Sequence, residues 1–205
     1  MRPVELRDEG LQSLLRMVAS RGVENAAQGL SEMVGRRLSV SVPIISVVPI
    51  RAVPMRAGGS ERLVVGIYLA CDGELGGHVM LILEMPDALR LADMILGQPE
   101  GAATELNALE RSALGEAGNL VTSFFLNAVA GVTGLQGRPT PPAVIVDMAG
   151  AILDIMLVSS GQLSDEILML EAVFQEADRQ MSLQFWMVPD LDPLSSLLAQ
   201  VGRAT

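Results

Sequence analysis

The sequence predicts an α+β protein built on an internal repeat, and three observations lead there. The order helix, strand, hairpin, helix occurs twice along the 205 residues. Shifting the chain by 99 residues sets Ser13 on Ser112, Gly35 on Gly134 and Pro43 on Pro142, so both occurrences share one frame. Hydrophobic residues make up 50%, enough for a packed core, while aromatics are 3% and Met reaches 12, which makes that core aliphatic. The expectation is a single domain over 1–205, with repeat halves at about 7–100 and 101–205 related by pseudo-twofold symmetry.

The first half opens with a helical pattern from about Arg7 to Arg36. Leu11, Leu14, Leu15 and Val18 set the period, and Ala26, Ala27, Leu30, Met33 and Val34 resume it after Gly22. Gly35 followed by two arginines suits the carboxyl end. LSVSVPIISVVPI alternates as a strand does, with Pro43 and Pro54 marking edges or ends, and MRAGGSE reads as a turn. Leu63 to Ala70 and His78 to Glu84 read as two strands of a hairpin joined around CDGELGG, a loop longer than the two-residue type. Pro86 opens a short helix to about Leu96, LGQPEGAAT is the linker between halves, and Thr104 is the expected cap of the next helix.

That helix carries two stripes. Leu106, Leu109, Ala113, Ala117, Leu120 and Phe124 form an apolar one, widened by Leu114, Val121, Phe125 and Val129. Ser112, Glu116, Asn119 and Ser123, at spacings of four, three and four, form a polar one. Gly115 and Gly118 flank Glu116 and Asn119, and a glycine inside a helix costs roughly 1 kcal/mol against alanine, so the bare backbone is needed there. Downstream, GRPTPP forces an extended approach to the strand AVIVD, since each proline fixes its own φ and biases the residue before it. AGAILDIMLVS is a second apolar helix, Ile167 to Gln175 and Gln180 to Val188 pair as a hairpin around EADR, and Asp192 with Pro193 starts a last helix, LSSLLAQVG.

Composition narrows the functional classes. A formal charge of −10 and a pI near 4.5 argue against a nucleic-acid surface, which needs clustered Lys and Arg. No apolar run approaches the roughly 20 residues of a membrane span, and the charged start MRPVELRDEG is unlike a signal peptide. A cytoplasmic protein that binds no membrane is expected. Cys71 has no second cysteine for a disulfide, and His78 has no converging ligands for a metal and no partner as a base. No phosphate-binding glycine loop or metal cluster supports a small-molecule enzyme.

Ser112, Glu116, Asn119 and, after 22 intervening residues, Pro142 together resemble the active-site signature of the CheC, CheX and FliY family. These are chemotaxis phosphatases that remove phosphate from the response regulator CheY. LVVGIYL, LGQPEG, ELNALERSALGEAGNLVTSFFLNAV, PPAVIVDMAGAILD and WMVPDLDPLSSLLAQVG extend the resemblance to CheC over nearly the whole chain. The resemblance implies a continuous sheet of about six mainly antiparallel strands, with the two long helices packed side by side on it. It implies a protein aspartyl-phosphate phosphatase with no organic cofactor or metal of its own, the Mg2+ being held by the regulator. Asn119 would position the attacking water, Glu116 would pair with a lysine of the regulator, and Ser112 and Pro142 would support them.

In the first copy the matching positions are Ser13, Met17, Ser20 and Pro43. Methionine has no charge and serine no amide, so one working site is expected and the other is degenerate. Glu24 and Asn25 are adjacent, roughly 100° apart on a helix, and do not replace a pair three residues apart. The alternative reading is a non-catalytic partner of the chemotaxis deamidase CheD or of the flagellar switch. Within the resemblance FliY is disfavoured, because its extra switch-binding domain would need chain beyond Thr205.

Overall fold

Two 26-residue helices lie against one face of a sheet whose edge segments are exchanged between the two halves of the chain. The computed structural model describes residues 9–159, 166–176 and 181–190. In the first half α1 (Glu9–Val34) leads to β1 (Leu38–Val40) and β2 (Ile44–Pro49), and a 3-10 turn at Ile50–Ala52 runs into the short α2 (Val53–Arg56). The hairpin β3 (Leu63–Gly73) and β4 (Gly77–Leu83) then precedes α3 (Met85–Ile95). The second half repeats this order with α4 (Ala108–Thr133), β5 (Gly137–Pro139), β6 (Ala143–Met148), α5 (Ala149–Ser159), β7 (Glu166–Glu176) and β8 (Ser182–Pro189).

The sheet runs β1-β7-β8-β4-β3-β5, with β2 continuing the edge of β1 along β7 and β6 continuing β5 along β3. Every pairing is antiparallel, and the eight segments occupy six positions, as the resemblance implied. Each half gives its edge to the other. β4 and β8, one from each half, pair at the centre from Gly77 opposite Pro189 to Leu83 opposite Leu183.

Alternation along β3 sorts the core into two layers. Val65, Ile67, Leu69 and Cys71 face the long helices, where Val23, Leu30, Leu114, Val121 and Phe125 are buried against them. Val64 faces the other way with Met80, Ile82 and Trp186, under Val53 of α2 and Ile152 and Leu153 of α5. The long helices touch through glycines: the ring of Phe125 lies over Gly22 and that of Phe124 over Gly29. Asn25 Nδ2 donates to the Phe124 carbonyl at 2.9 Å. These two residues are 99 apart, hence equivalent in the repeat, so the pseudo-twofold axis passes through their contact.

Several expectations change in detail. On α4 the buried face is Leu114, Ala117, Val121, Phe125 and Val129, whereas Leu109 is 53% exposed and Leu106 and Leu120 are half-buried. The apolar stripe is therefore rotated toward the residues expected only to widen it. Asn107, not Thr104, caps the helix: its Oδ1 accepts from Leu109 N at 2.9 Å. Thr104 instead follows a loop pinned by Asp93, a 1% exposed residue whose carboxylate accepts from Gly101 N at 2.8 Å and Ala103 N at 2.9 Å. The linker is thus fastened to the end of the preceding helix. Part of MRAGGSE belongs to α2, and the β3–β4 loop is shorter than CDGELGG because both strands run further.

Glu176 at the end of β7 joins Arg36 (3.0 Å), just past α1, to Arg90 (2.8 Å) on α3, so an arginine read as a helix end signal also links the halves. Among the described residues no helix is long and apolar enough to cross a membrane. The EADR turn and the helix expected from Asp192 lie outside the described residues.

The glycine contacts make a direct stability prediction. A Cβ on Gly22 would sit 2.5 Å from Phe125, a ring only 2% exposed, so Gly22→Ala should destabilise by about 1–3 kcal/mol despite alanine's better helix propensity. Urea unfolding measures it. The double variant with Phe125→Leu should recover part of the loss, and an unchanged midpoint for Gly22→Ala would rule out this close helix approach.

Candidate functional site

The polar stripe of α4 stands as the sequence places it. Ser112 and Glu116 are exposed, Asn119 and Ser123 are half-buried, and Glu116 and Asn119 make no side-chain hydrogen bond or ion pair among the described residues. The flanking glycines have a packing cause. A Cβ on Gly115 would lie 3.2 Å from Pro142 Cγ, and one on Gly118 would lie 2.6 Å from Ile67 Cγ2. The helix backbone rests on β3 and on the proline through Gly115 and Gly118, the residues that precede Glu116 and Asn119.

Pro142 is held by a break in the edge strand. Thr140 N donates to the Ala70 carbonyl at 2.8 Å, while Thr140 Oγ1 accepts from Ala70 N at 3.1 Å. The hydroxyl takes the place of a strand carbonyl, so the chain leaves the ladder between β5 and β6 without orphaning Ala70. Ser41 does the same in the first copy, donating from its N to Val173 O at 2.9 Å and accepting Val173 N on Oγ at 2.9 Å. Arg111 closes the other side, with Nε donating to Leu106 O at 3.0 Å and Nη1 to Val144 O at 3.1 Å. Sequence reading missed these supports. The matched triplets S-V-P at 41–43 and T-P-P at 140–142 carried the signal for the two hydroxyls.

The first copy presents a different surface. Ser13 is exposed, Met17 is 50% exposed, Ser20 is half-buried and Pro43 is buried. Arg16, exposed, occupies the place matching Gly115. Asn25 is committed to the Phe124 carbonyl and Glu24 is exposed, so neither restores the missing pair.

Cys71 and His78 lie apart from the stripe. Burial pushes the Cys71 thiol up to about 12, with Asp190 and Asp72 adding to the effect, so it carries essentially no thiolate at neutral pH. His78 lies on the sheet face of Met80 and Ile82, opposite α4, and its Nδ1 is 2.8 Å from the Tyr68 hydroxyl. Burial lowers its pKa and Asp190 partly opposes this.

The profile of the CheC-like family matches residues 109–146, the segment from the first turn of α4 to the end of β6 that holds Ser112, Glu116, Asn119 and Pro142. Over 200 residues the chain is 26% identical to the CheY-P phosphatase CheC of Bacillus subtilis, covering 96% of each. Among solved structures, Thermotoga maritima FliY superposes with a TM-score of 0.75 at 17% identity, over 98% of this chain and 100% of that one. A chain of the Borrelia burgdorferi CheX-CheY-BeF3-Mg2+ complex gives 0.55 at 14% identity, over 82% of this chain and 95% of that one. The fold of these proteins is the fold described above.

Thr140 gives the site its own test. Thr140→Val keeps the shape but leaves Ala70 N–H without its acceptor, and should lower stability by about 1–2 kcal/mol. Thr140→Ser should stay close to the wild type. Equal melting of all three proteins would exclude the hydroxyl as a strand substitute.

Proposed function

Because the chain belongs to the CheC-like family, we propose that it removes phosphate from a phosphorylated CheY-like response regulator, with Glu116 and Asn119 as the working pair. The observation that carries this reading is local. Glu116 and Asn119 stand one turn apart on α4, project from a rigid face and have no partner among the described residues, whereas the equivalent places of α1 hold Met17 and Ser20. The similarity to a CheY-P phosphatase over 96% of the chain supports the substrate class.

An aspartyl phosphate is an acyl phosphate and needs little covalent help. Water attacks phosphorus in line, the new P–O bond forms as the bond to the acyl oxygen breaks, and the regulator's carboxylate leaves with inorganic phosphate as the second product. The helper's task is to hold that water, and position is worth a large factor in rate. Asn119 suits it because a neutral amide accepts and donates hydrogen bonds without itself attacking phosphorus. Glu116, exposed and one turn earlier, docks a regulator lysine, a charge-assisted contact that sets the geometry. Ser112 extends the stripe, and Pro142 braces the helix through Gly115. No organic cofactor or metal of the chain's own enters this scheme; Mg2+ belongs to the regulator. The proposed place of work is the cytoplasm.

Loss of phosphate from the phosphorylated regulator, followed with and without the protein, tests this. The wild type should accelerate it, Asn119→Ala should remove about 100-fold of the acceleration with binding kept, and Glu116→Ala should weaken docking. Met17→Glu with Ser20→Asn, placed on the Asn119→Ala background, should restore part of the activity if the first copy kept its frame. A wild type that binds the regulator and accelerates nothing would favour a docking protein, whose partner would be CheD or the flagellar switch.

A further inference from the structure

A groove of about 510 Å3 opens between α1 and α4, lined by Arg21, Glu24 and Asn25 on one side and Asn127, Ala128 and Gly131 on the other. It arises where the repeat loses its symmetry. Phe124 lays its ring on Gly29, and the equivalent residues are Asn25 and Ala128. Asn25 is smaller and is drawn away to the Phe124 carbonyl, so the ring that fills one side has no counterpart on the other. Gly131 faces open space, with no heavy atom within 4 Å of where its Cβ would stand. Arg21, Glu24 and Asn127 reach the groove with no hydrogen bond or ion pair among the described residues.

Position ties this groove to the polar stripe. Asn119, Ser123 and Asn127 follow at four-residue spacing, which puts Asn127 about 12 Å along the helix from Asn119. A stable protein contact covers about 800 Å2 on each partner, a patch roughly 30 Å across. A domain centred on Glu116 and Asn119 therefore reaches the near end of the groove at Asn127, with Gly131 about 6 Å further along the helix. We propose that the groove receives a long side chain with a polar head from the docked response regulator, its stem on Ala128 and Gly131 and its head among Arg21, Glu24 and Asn127. This rests on reading Glu116 and Asn119 as the regulator site. The groove selects and holds the regulator, and the chemistry stays with Asn119.

Gly131→Leu fills the groove from an open helical position and should not lower the melting temperature, since leucine favours helix over glycine. In the full chain, with the same phosphorylated regulator as substrate, it should raise KM about tenfold and leave kcat within about twofold. Arg21→Ala, which removes a contact without adding bulk, should raise KM severalfold. Wild-type KM in both variants, or a fall in kcat alone, would overturn the proposal. If the wild type accelerates no hydrolysis, the function proposed above fails instead, and calorimetric binding of the beryllofluoride-treated regulator decides the groove: weaker binding by Gly131→Leu supports it and equal binding removes it.

Discussion

The approach of α4 to the sheet is the constraint on which the remaining geometry rests. Gly118 sits on Ile67 closer than a Cβ would allow, and Gly115 sits on Pro142 at a distance where a Cβ would be tight. That contact buries Leu114, Val121 and Phe125 and sets how far the next residues around the helix stand from the sheet. Glu116 and Asn119 are those next residues. A helix lifted by one methyl group would keep the polar stripe and lose its relation to Pro142. The cost of two helical glycines, roughly 1 kcal/mol each, is offset by the burial their absence of side chain permits.

Strand exchange explains why both halves persist although only one carries the polar pair. β5 and β6 have no ladder without β3, and β1 and β2 have none without β7. The centre of the sheet is a pairing between β4 and β8, one from each half. Losing the first copy would leave the edge that holds Pro142 unpaired, so its frame is retained for a reason independent of chemistry. The matched hydroxyls of Ser41 and Thr140 show that frame at the level of single hydrogen bonds. Residues that take no part in these ladders, such as the exposed Met17 and the half-buried Ser20, lie outside this structural requirement.

Much of this was legible in the chain because it depends on periodicity and on prolines and glycines, which act locally. Element order, the two long helices, the hairpins and the shared frame follow from such signals. The rotation of the buried face of α4 was harder to see: Leu109 and Leu114 look alike in sequence, and only the approach to β3 decides which is covered. The cap moved from Thr104 to Asn107 because Asp93, ten residues before Ala103 and buried, claims the loop ahead of it. The polar stripe was read correctly as a stripe. Its braces, Arg111 and Thr140, bond to backbone carbonyls and amides of distant strands, and no pattern within the chain names those partners.

The pseudo-twofold axis at Asn25 and Phe124 bears on the use of a single site. Ser20 and Asn119 each lie five residues before the axis on their own helix, about 7.5 Å along it. With helix axes some 8–10 Å apart, the two positions are separated by roughly 20 Å at the backbone. That is less than the roughly 30 Å breadth of one docked domain. Two regulators centred on the two copies would overlap, so a second active pair would add little turnover while the first is occupied. On the proposed reading helix α1 serves as floor rather than rival: its Arg21 and Glu24 face the groove beside Asn127, and the uncharged Met17 offers no competing place for the lysine that Glu116 is proposed to dock.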